Sequence, residues 1–270
     1  MHSSKMWVWQ QTEGLRWLQC QLLSDWPHAF GCRQIHPHQP PRLAAQLQLP
    51  PDRAVWGHQV HGPDWIWADE VELTSTPDHS MLPEPSSETR EVAITRPQVD
   101  AVIARQGSDS AWVCTADCVP ILVASQRWVA AIHAGWRGTA ANILPNVLQQ
   151  FAQAGIPVEQ IRIAIGPAIS GAVYQVSAEV AEQILQTLPS SAAAHSALLD
   201  DPHPGKVRLD LRQVHQAQAQ THGIPPEHIA LSPHCTLSQP QDFFSYRRDG
   251  SLKDEQGRHC VQWSGIGLRA

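Results

Sequence analysis

Two imidazoles, a thiol and a guanidinium stand in three short stretches, Gln59-Val60-His61-Gly62, Thr115-Ala116-Asp117-Cys118 and His133-Ala134-Gly135-Trp136-Arg137-Gly138, each flanked by small residues. Cys118 and His133 lie fifteen positions apart. Residues 119–132 read as two apolar runs about a polar turn, so a strand, a turn and a returning strand bring both groups to one sheet edge. Together with His61 they form either a three-ligand zinc site with an open fourth position or a Cys–His nucleophile pair.

Blander readings compete for each residue. His61 is one of 15 histidines, most of which serve on surfaces or in hydrogen bonds. His58, three residues earlier, points to the other side of a strand. Cys114 sits inside an apolar run and reads as a small core residue. Cys118, between Asp117 and Pro120, stands at a strand-to-turn boundary, a better place for a ligating or reactive thiolate. Arg137 lies between two glycines just ahead of a helix start, which suits an anion such as phosphate or carboxylate, against the plain alternative of a surface salt bridge. Arg247 and Arg248 add further cations, or pair with Asp242 or Asp249.

The elements around these stretches are strand-rich in the first half. Met6–Trp9, Leu15–Leu22, Ala29–Cys32, Trp56–Val60 and Asp64–Ala68 carry strand patterns, with a helix near Leu43–Leu49 and a solvated loop over residues 72–90. The second half alternates helix and strand. Thr139 is read as the cap of a helix closing at Gly155, with Pro145 kinking it or starting a second segment. Ile161–Ile165 and His228–Leu231 read as strands, while Ser177 and Asp210 cap two more helices. Most of the tryptophans fall at strand positions and read as core. Strands first and alternating units later give a mixed-sheet α+β or α/β domain. Neither repeats nor a linker appear, so one domain over 1–270 is expected.

Composition narrows the classes. The 270 residues carry a net charge of −6 with no long basic run, which argues against nucleic acid or an anionic membrane as partner. The N-terminus lacks the apolar core of a signal peptide and no stretch could span a bilayer, so a cytoplasmic location is expected. Six scattered cysteines then default to free thiols, metal ligands or nucleophiles.

The motifs resemble one family over nearly the whole chain. His28-Ala-Phe-Gly-Cys-Arg33, Gln59-Val-His-Gly62, Asp100-Ala-Val-Ile103, Thr115-Ala-Asp-Cys-Val-Pro120, Ala131-Ile-His-Ala-Gly-Trp-Arg-Gly138, Ile165-Gly-Pro-Ala-Ile169, Leu209-Asp-Leu211, Cys235-Thr236 and Asp242-Phe-Phe-Ser-Tyr-Arg-Arg-Asp-Gly250 match it in order. This is the YfiH family, also called laccase-domain, multicopper polyphenol oxidase-like or peptidoglycan editing factor proteins. The resemblance implies a single α+β domain with mixed β-sheets flanked by helices, similar to the catalytic domain of a Rho-deamidating bacterial toxin. It implies that His61, Cys118 and His133 are the zinc-binding and catalytic trio. It also implies phosphorolysis of adenosine, inosine and methylthioadenosine with adenosine deamination, or else removal of a wrongly added L-serine from a UDP-MurNAc precursor. The chain departs from the family after Arg33, where Gln-Ile-His-Pro-His-Gln-Pro replaces a glycine-rich turn.

Three chemistries follow. A zinc on the trio would activate water for attack on purine C6 or an amide carbonyl. Alternatively Cys118 attacks with His133 as base. Oxidase chemistry with copper is the weakest expectation, since only two histidines, His61 and His133, belong to the matched trio. A non-catalytic zinc-binding module remains a further alternative, though a structural zinc site usually has four protein ligands. Phosphorolysis needs a phosphate pocket, which Arg137, Arg33 and Arg248 are expected to supply.

Overall fold

The most buried hairpin of the protein explains the architecture around it. The computed structural model describes residues 6–12, 14–71, 96–105, 107, 109–188, 196–250 and 252–269. In chain order its elements are β1 (Trp7–Thr12), β2 (Leu15–Cys20), β3 (His28–Gly31), α1 (Pro40–Gln46), β4 (Ala54–Val55), β5 (Trp65–Trp67), β6 (Ala101–Ala104) and β7 (Ser110–Thr115). Then come β8 (Val119–Ala124), β9 (Val129–Ala134), α2 (Trp136–Ala140), α3 (Ile143–Gln153), β10 (Arg162–Ile165), β11 (Gln175–Ser177) and α4 (Ala178–Leu185). The chain closes with β12 (Leu198–Asp200), β13 (Lys206–Leu209), α5 (Leu211–Thr221), β14 (Ile229–Leu231), α6 (Tyr246–Asp249) and β15 (Gln262–Gly267).

Every residue of β8 and β9 is buried. Such continuous apolar runs belong in the middle of a sheet covered on both faces. That is where they lie, in a six-stranded sheet of order β14-β10-β8-β9-β6-β5. The two-residue period of the strand splits their side chains. Ile121, Val123, Ala130 and Ile132 face a core shared with Ile143, Val147, Phe151, Ile184 and Val214 from α3, α4 and α5. Leu122, Ala124, Val129 and Ala131 face a second core against Leu18, Phe30, Val113 and Ile266 of the other six-stranded sheet, ordered β1-β2-β3-β15-β7-β4. A third core on that sheet's outer face holds Trp112, Trp263, Ile35 and Leu43 of α1. The result is an α+β domain with mixed sheets and few helices: β4–β7, β5–β6 and β10–β14 run parallel, and the other pairs antiparallel. Each large apolar side chain so buried contributes about 1.5–3 kcal/mol.

Local rules hold at several boundaries. Ser177 Oγ accepts from the Val180 amide and Asp210 from the Arg212 amide, capping α4 and α5 as their residue types predict. Two expectations are corrected. Trp56–Val60 is not a strand, because after Val55 the chain pairs through a side chain instead: Gln59 Nε2 donates to Cys114 O and its Oε1 accepts the Cys114 amide, both at 2.8 Å. One carboxamide thus replaces a ladder step. Nor does Thr139 cap the long helix. It lies within α2, donating to Gly135 O, and the chain breaks at Asn142 with φ 63° before α3 begins. Pro145 is then the third residue of α3, where its missing N–H leaves no gap in the helical bonding. The expected loop over 72–90 lies outside the described residues.

Candidate functional site

Cys118 and His133 meet because β8 and β9 are a hairpin whose register sets Pro120 opposite His133 and Val119 opposite Ala134. Cys118 directly precedes β8, at the end of the turn from β7. That turn needs Asp117 at φ 87°. A non-glycine residue pays for this region, and the side chain shows what holds it there. The Asp117 carboxylate is buried and accepts from Thr236 Oγ1 at 2.6 Å, Ser245 Oγ at 2.9 Å and the Arg247 amide at 2.7 Å.

His61 arrives from a separate turn, also left-handed at φ 62°. One carboxylate secures it. Asp100, fully buried just ahead of β6, accepts the amides of Val60 at 3.1 Å, His61 at 3.0 Å and Gly62 at 2.7 Å. The same carboxylate accepts from His133 Nδ1 at 2.7 Å. That bond fixes the tautomer of His133 and leaves Nε2 for Cys118.

The donor atoms of His61, Cys118 and His133 all lie within 4.8 Å of one another. Their two imidazole rings stand nearly perpendicular, 86°, with centroids 4.8 Å apart. Gly135 borders them: a Cβ there would fall 3.0 Å from His61 Cδ2 and 3.1 Å from Cys118 Sγ. His133 is buried, Cys118 half-buried and His61 exposed, so the cluster opens to solvent on the His61 side.

Electrostatics follow from that packing. Burial raises the Cys118 thiol, but the positive charge and hydrogen bond of His133, with help from His61, more than reverse this and bring it to about 6. Burial lowers His133, and the Cys118 thiolate together with the Asp100 hydrogen bond overcomes it, raising the imidazole to about 9. Asp100 itself, despite burial, is held below the ordinary carboxylate range by His133 and the Gly62 and Val60 amides. The stable arrangement at neutral pH, in the protein alone, is a thiolate–imidazolium pair backed by a carboxylate.

Two capabilities result. A nitrogen, sulfur, nitrogen donor set with one open side and a carboxylate behind one histidine fits a divalent ion such as zinc. The line Cys118–His133–Asp100 also has the order of a nucleophile, a base and an orienting acid.

The three expected arginines part company. Arg33 donates to Pro240 O and lies over the Phe244 ring, 4.5 Å from its centroid. Arg248 spends all five of its N–H groups, on Thr236 O, Leu237 O, Phe243 O and both oxygens of Asp249. It is a rivet for its own loop: the donors it was expected to offer phosphate are all engaged within the protein. Arg137 alone of the three is exposed and stacks on Trp136, 4.4 Å from the ring centroid. Cys114 borders the core around Trp112 and Trp263, as its apolar setting predicts. Asp100 and Asp117 were missed as functional groups. Each sits inside a short motif, but a single acid before an apolar run carries no sign of its partners.

Comparison with known proteins gives the chain its relatives. The family model described as "Multi-copper polyphenol oxidoreductase laccase" matches residues 38–264. A Synechocystis sp. protein named purine nucleoside phosphorylase is 37% identical, over 97% of both chains. Adenosine deaminase RL5, from an unknown prokaryotic organism, is 38% identical over 56% of this chain and 58% of its own. Among solved structures, YlmD from Geobacillus stearothermophilus superposes with a TM-score of 0.76 at 26% identity, over 97% of this chain and 99% of its own. Bacillus licheniformis YfiH gives the same TM-score and coverage at 23% identity.

Proposed function

As the chain belongs to the family described as multi-copper polyphenol oxidoreductase laccase, which also carries the name YfiH, we propose that it is a zinc-dependent enzyme of purine nucleosides. Its reactions are phosphorolysis of adenosine, inosine and methylthioadenosine and hydrolytic deamination of adenosine. The observation that carries the proposal is the convergence of His61, Cys118 and His133 within 4.8 Å, open on one side. The names borne by the relatives supply the substrate class.

His61, Cys118 and His133 would hold the ion, which when bound supplies Lewis acidity and a lowered pKa for water. Zinc suits three mixed nitrogen and sulfur ligands beside an open position. Copper oxidase chemistry is less well supported: among the described residues this trio is the one cluster of its kind, and a multicopper centre draws on many more imidazoles. Asp100 holds His133 so that Nε2 faces Cys118 and would serve as a ligand of the ion. In phosphorolysis phosphate oxygen joins ribose C1′ as the base leaves with its bonding electrons, and the base needs a proton. In deamination water replaces the 6-amino group, which departs as ammonia and also needs one. With its Nδ1–H on Asp100 and its Nε2 given to the ion, His133 would hold no proton for either leaving group, which would take one from water at the open side of the cluster. Arg137 contributes the charge that receives phosphate.

The Cys118–His133–Asp100 line favours a second reading, in which the thiolate attacks the amide of an L-serine-bearing UDP-MurNAc precursor. Metal-depleted protein, assayed with adenosine, with inosine plus phosphate and with that precursor before and after zinc or copper is added, separates the readings. Restoration of purine turnover by zinc supports the first. Absence of purine turnover in every metal state, with serine released and a covalent adduct on Cys118, refutes it in favour of the second. The described residues include no helix long and apolar enough to cross a membrane.

A further inference from the structure

The residue next to Arg248 has the opposite character. Arg247 gives its backbone amide to Asp117, the neighbour of Cys118, at 2.7 Å. Its backbone is therefore tied to the turn that carries the thiol. Its side chain is exposed and lies over Tyr174, 5.4 Å from the ring centroid. Only two long bonds, 3.2 and 3.3 Å to Gln175 O, occupy the guanidinium, and no carboxylate pairs with it among the described residues.

Two more unspent donors belong to the same mouth. The Arg137 side chain has no ion pair or hydrogen bond among the described residues, only its stacking on Trp136. It stands two positions beyond Gly135, which borders all three members of the trio. The Tyr174 phenol likewise has no hydrogen-bond partner among the described residues. Burial, reinforced by the charge of Cys118, pushes it up to about 12, so it stays a neutral O–H donor, and it senses both Arg247 and Arg137. Asp117, an acid whose charge the phenol senses, is engaged by Thr236, Ser245 and the Arg247 amide. Two unpaired guanidiniums and a free phenol beside a nucleophilic or metal-binding cluster make a receptor for an oxyanion.

We propose that Arg247, with Arg137 and the Tyr174 hydroxyl, forms the phosphate-binding site of this protein, and that Asp117 is the positioning residue tying that site to Cys118. The ligand chemistry is a phosphate dianion, either inorganic phosphate or the phosphoryl group of a nucleotide. The identification of inorganic phosphate as co-substrate rests on the phosphorolysis reading; the binding site does not.

The test is direct binding. Inorganic phosphate and adenosine 5′-monophosphate are titrated calorimetrically into the wild type, Arg247→Gln, Arg137→Gln and Tyr174→Phe, with circular dichroism and thermal unfolding as folding controls. Loss of a charge-assisted, partly buried contact is expected to weaken binding about tenfold to a hundredfold in either arginine variant, and less in Tyr174→Phe. If phosphate alone binds in an Arg247-dependent way, the site takes the free ion; if the nucleotide alone does, it takes a phosphoryl group of the substrate. Where inosine phosphorolysis is measurable, the KM for phosphate rises in Arg247→Gln while the KM for inosine stays within about twofold. Should phosphorolysis be absent but Arg247-dependent binding remain, the reaction is wrong and the site stands. Unchanged binding in folded Arg247→Gln, or no binding of either ligand to the wild type at millimolar concentration, overturns the proposal. A Asp117→Asn variant keeps the size of the side chain yet loses its charge, and is expected to weaken phosphate binding and slow Cys118 alkylation together. An effect on neither would remove the positioning role.

Discussion

Removing the Asp100 carboxylate is the sharpest perturbation of the site. In Asp100→Ala four donors lose their acceptor at once: the amides of Val60, His61 and Gly62, and His133 Nδ1–H. The carboxylate is fully buried and His133 nearly so, hence water does not readily replace it. Each buried orphan costs about 1–3 kcal/mol, but the His61 turn is exposed and will relax into water, so the upper bound is not reached. Breaking a buried charge pair by deleting one partner typically costs about 3–5 kcal/mol. We expect about 4 kcal/mol from guanidinium unfolding at pH 7. Asp100→Asn keeps one accepting oxygen but turns an N–H toward donors, and should lose about 2 kcal/mol. The pH dependence has a definite sign. The folded carboxyl titrates below its ordinary value near 3.8, so its contribution is complete above that value and disappears as pH falls through the depressed folded value. The carboxylate's own part of the gap between wild type and variant should therefore be constant from pH 5 to 7 and close in strong acid. Zinc affinity of either variant should fall about tenfold to a hundredfold, since the carboxylate orients a ligand histidine. A loss of stability under about 1 kcal/mol together with wild-type zinc affinity would refute the account of Asp100 as the common anchor of both histidines.

Other expectations follow from the same geometry. Purified protein should carry about one zinc per chain, and single removal of His61, Cys118 or His133 should lose it, because two ligands are too few for tight binding; full metal content in Cys118→Ala, by mass spectrometry, would count against the trio. In metal-free protein, iodoacetamide should alkylate Cys118 with a midpoint at about pH 6; the thiolate–imidazolium pair forms as pH rises through about 6 and dissolves as His133 loses its proton through about 9, so a midpoint near that of a free thiol would contradict the pairing. Gly135→Ala places a methyl about 3 Å from His61 and Cys118, and should cost about 1–3 kcal/mol in thermal or denaturant unfolding and impair zinc uptake. Arg248→Ala should destabilise the protein by about 2–4 kcal/mol, as carbonyls and a carboxylate lose five charge-assisted bonds, whereas Arg247→Gln should stay within about 0.5 kcal/mol of wild type.

What the sequence determined by itself was local and periodic. The apolar runs on either side of Ser125 to Trp128 specify a hairpin, and the hairpin alone brings Cys118 to His133. Caps at Ser177 and Asp210 were legible because a cap acts within three residues. Motif order carried the family and, with it, the fold class. Tertiary structure decided whatever depended on a partner far along the chain. Asp100 lies 33 positions before His133 and 39 after His61, and nothing in its neighbours marks it as the acceptor for both. Gln59 ends the strand pattern at Trp56 because its side chain, rather than a backbone, meets Cys114 across 55 residues. Arg247 and Arg248 are the clearest case. They are adjacent and chemically identical, and no pattern distinguishes them. Folding turns one inward, onto the carbonyls of residues 236, 237 and 243, and leaves the other beside Tyr174 in water. A side chain's free valences are what remain after the fold has used the rest, so its function can be read only once the fold is known.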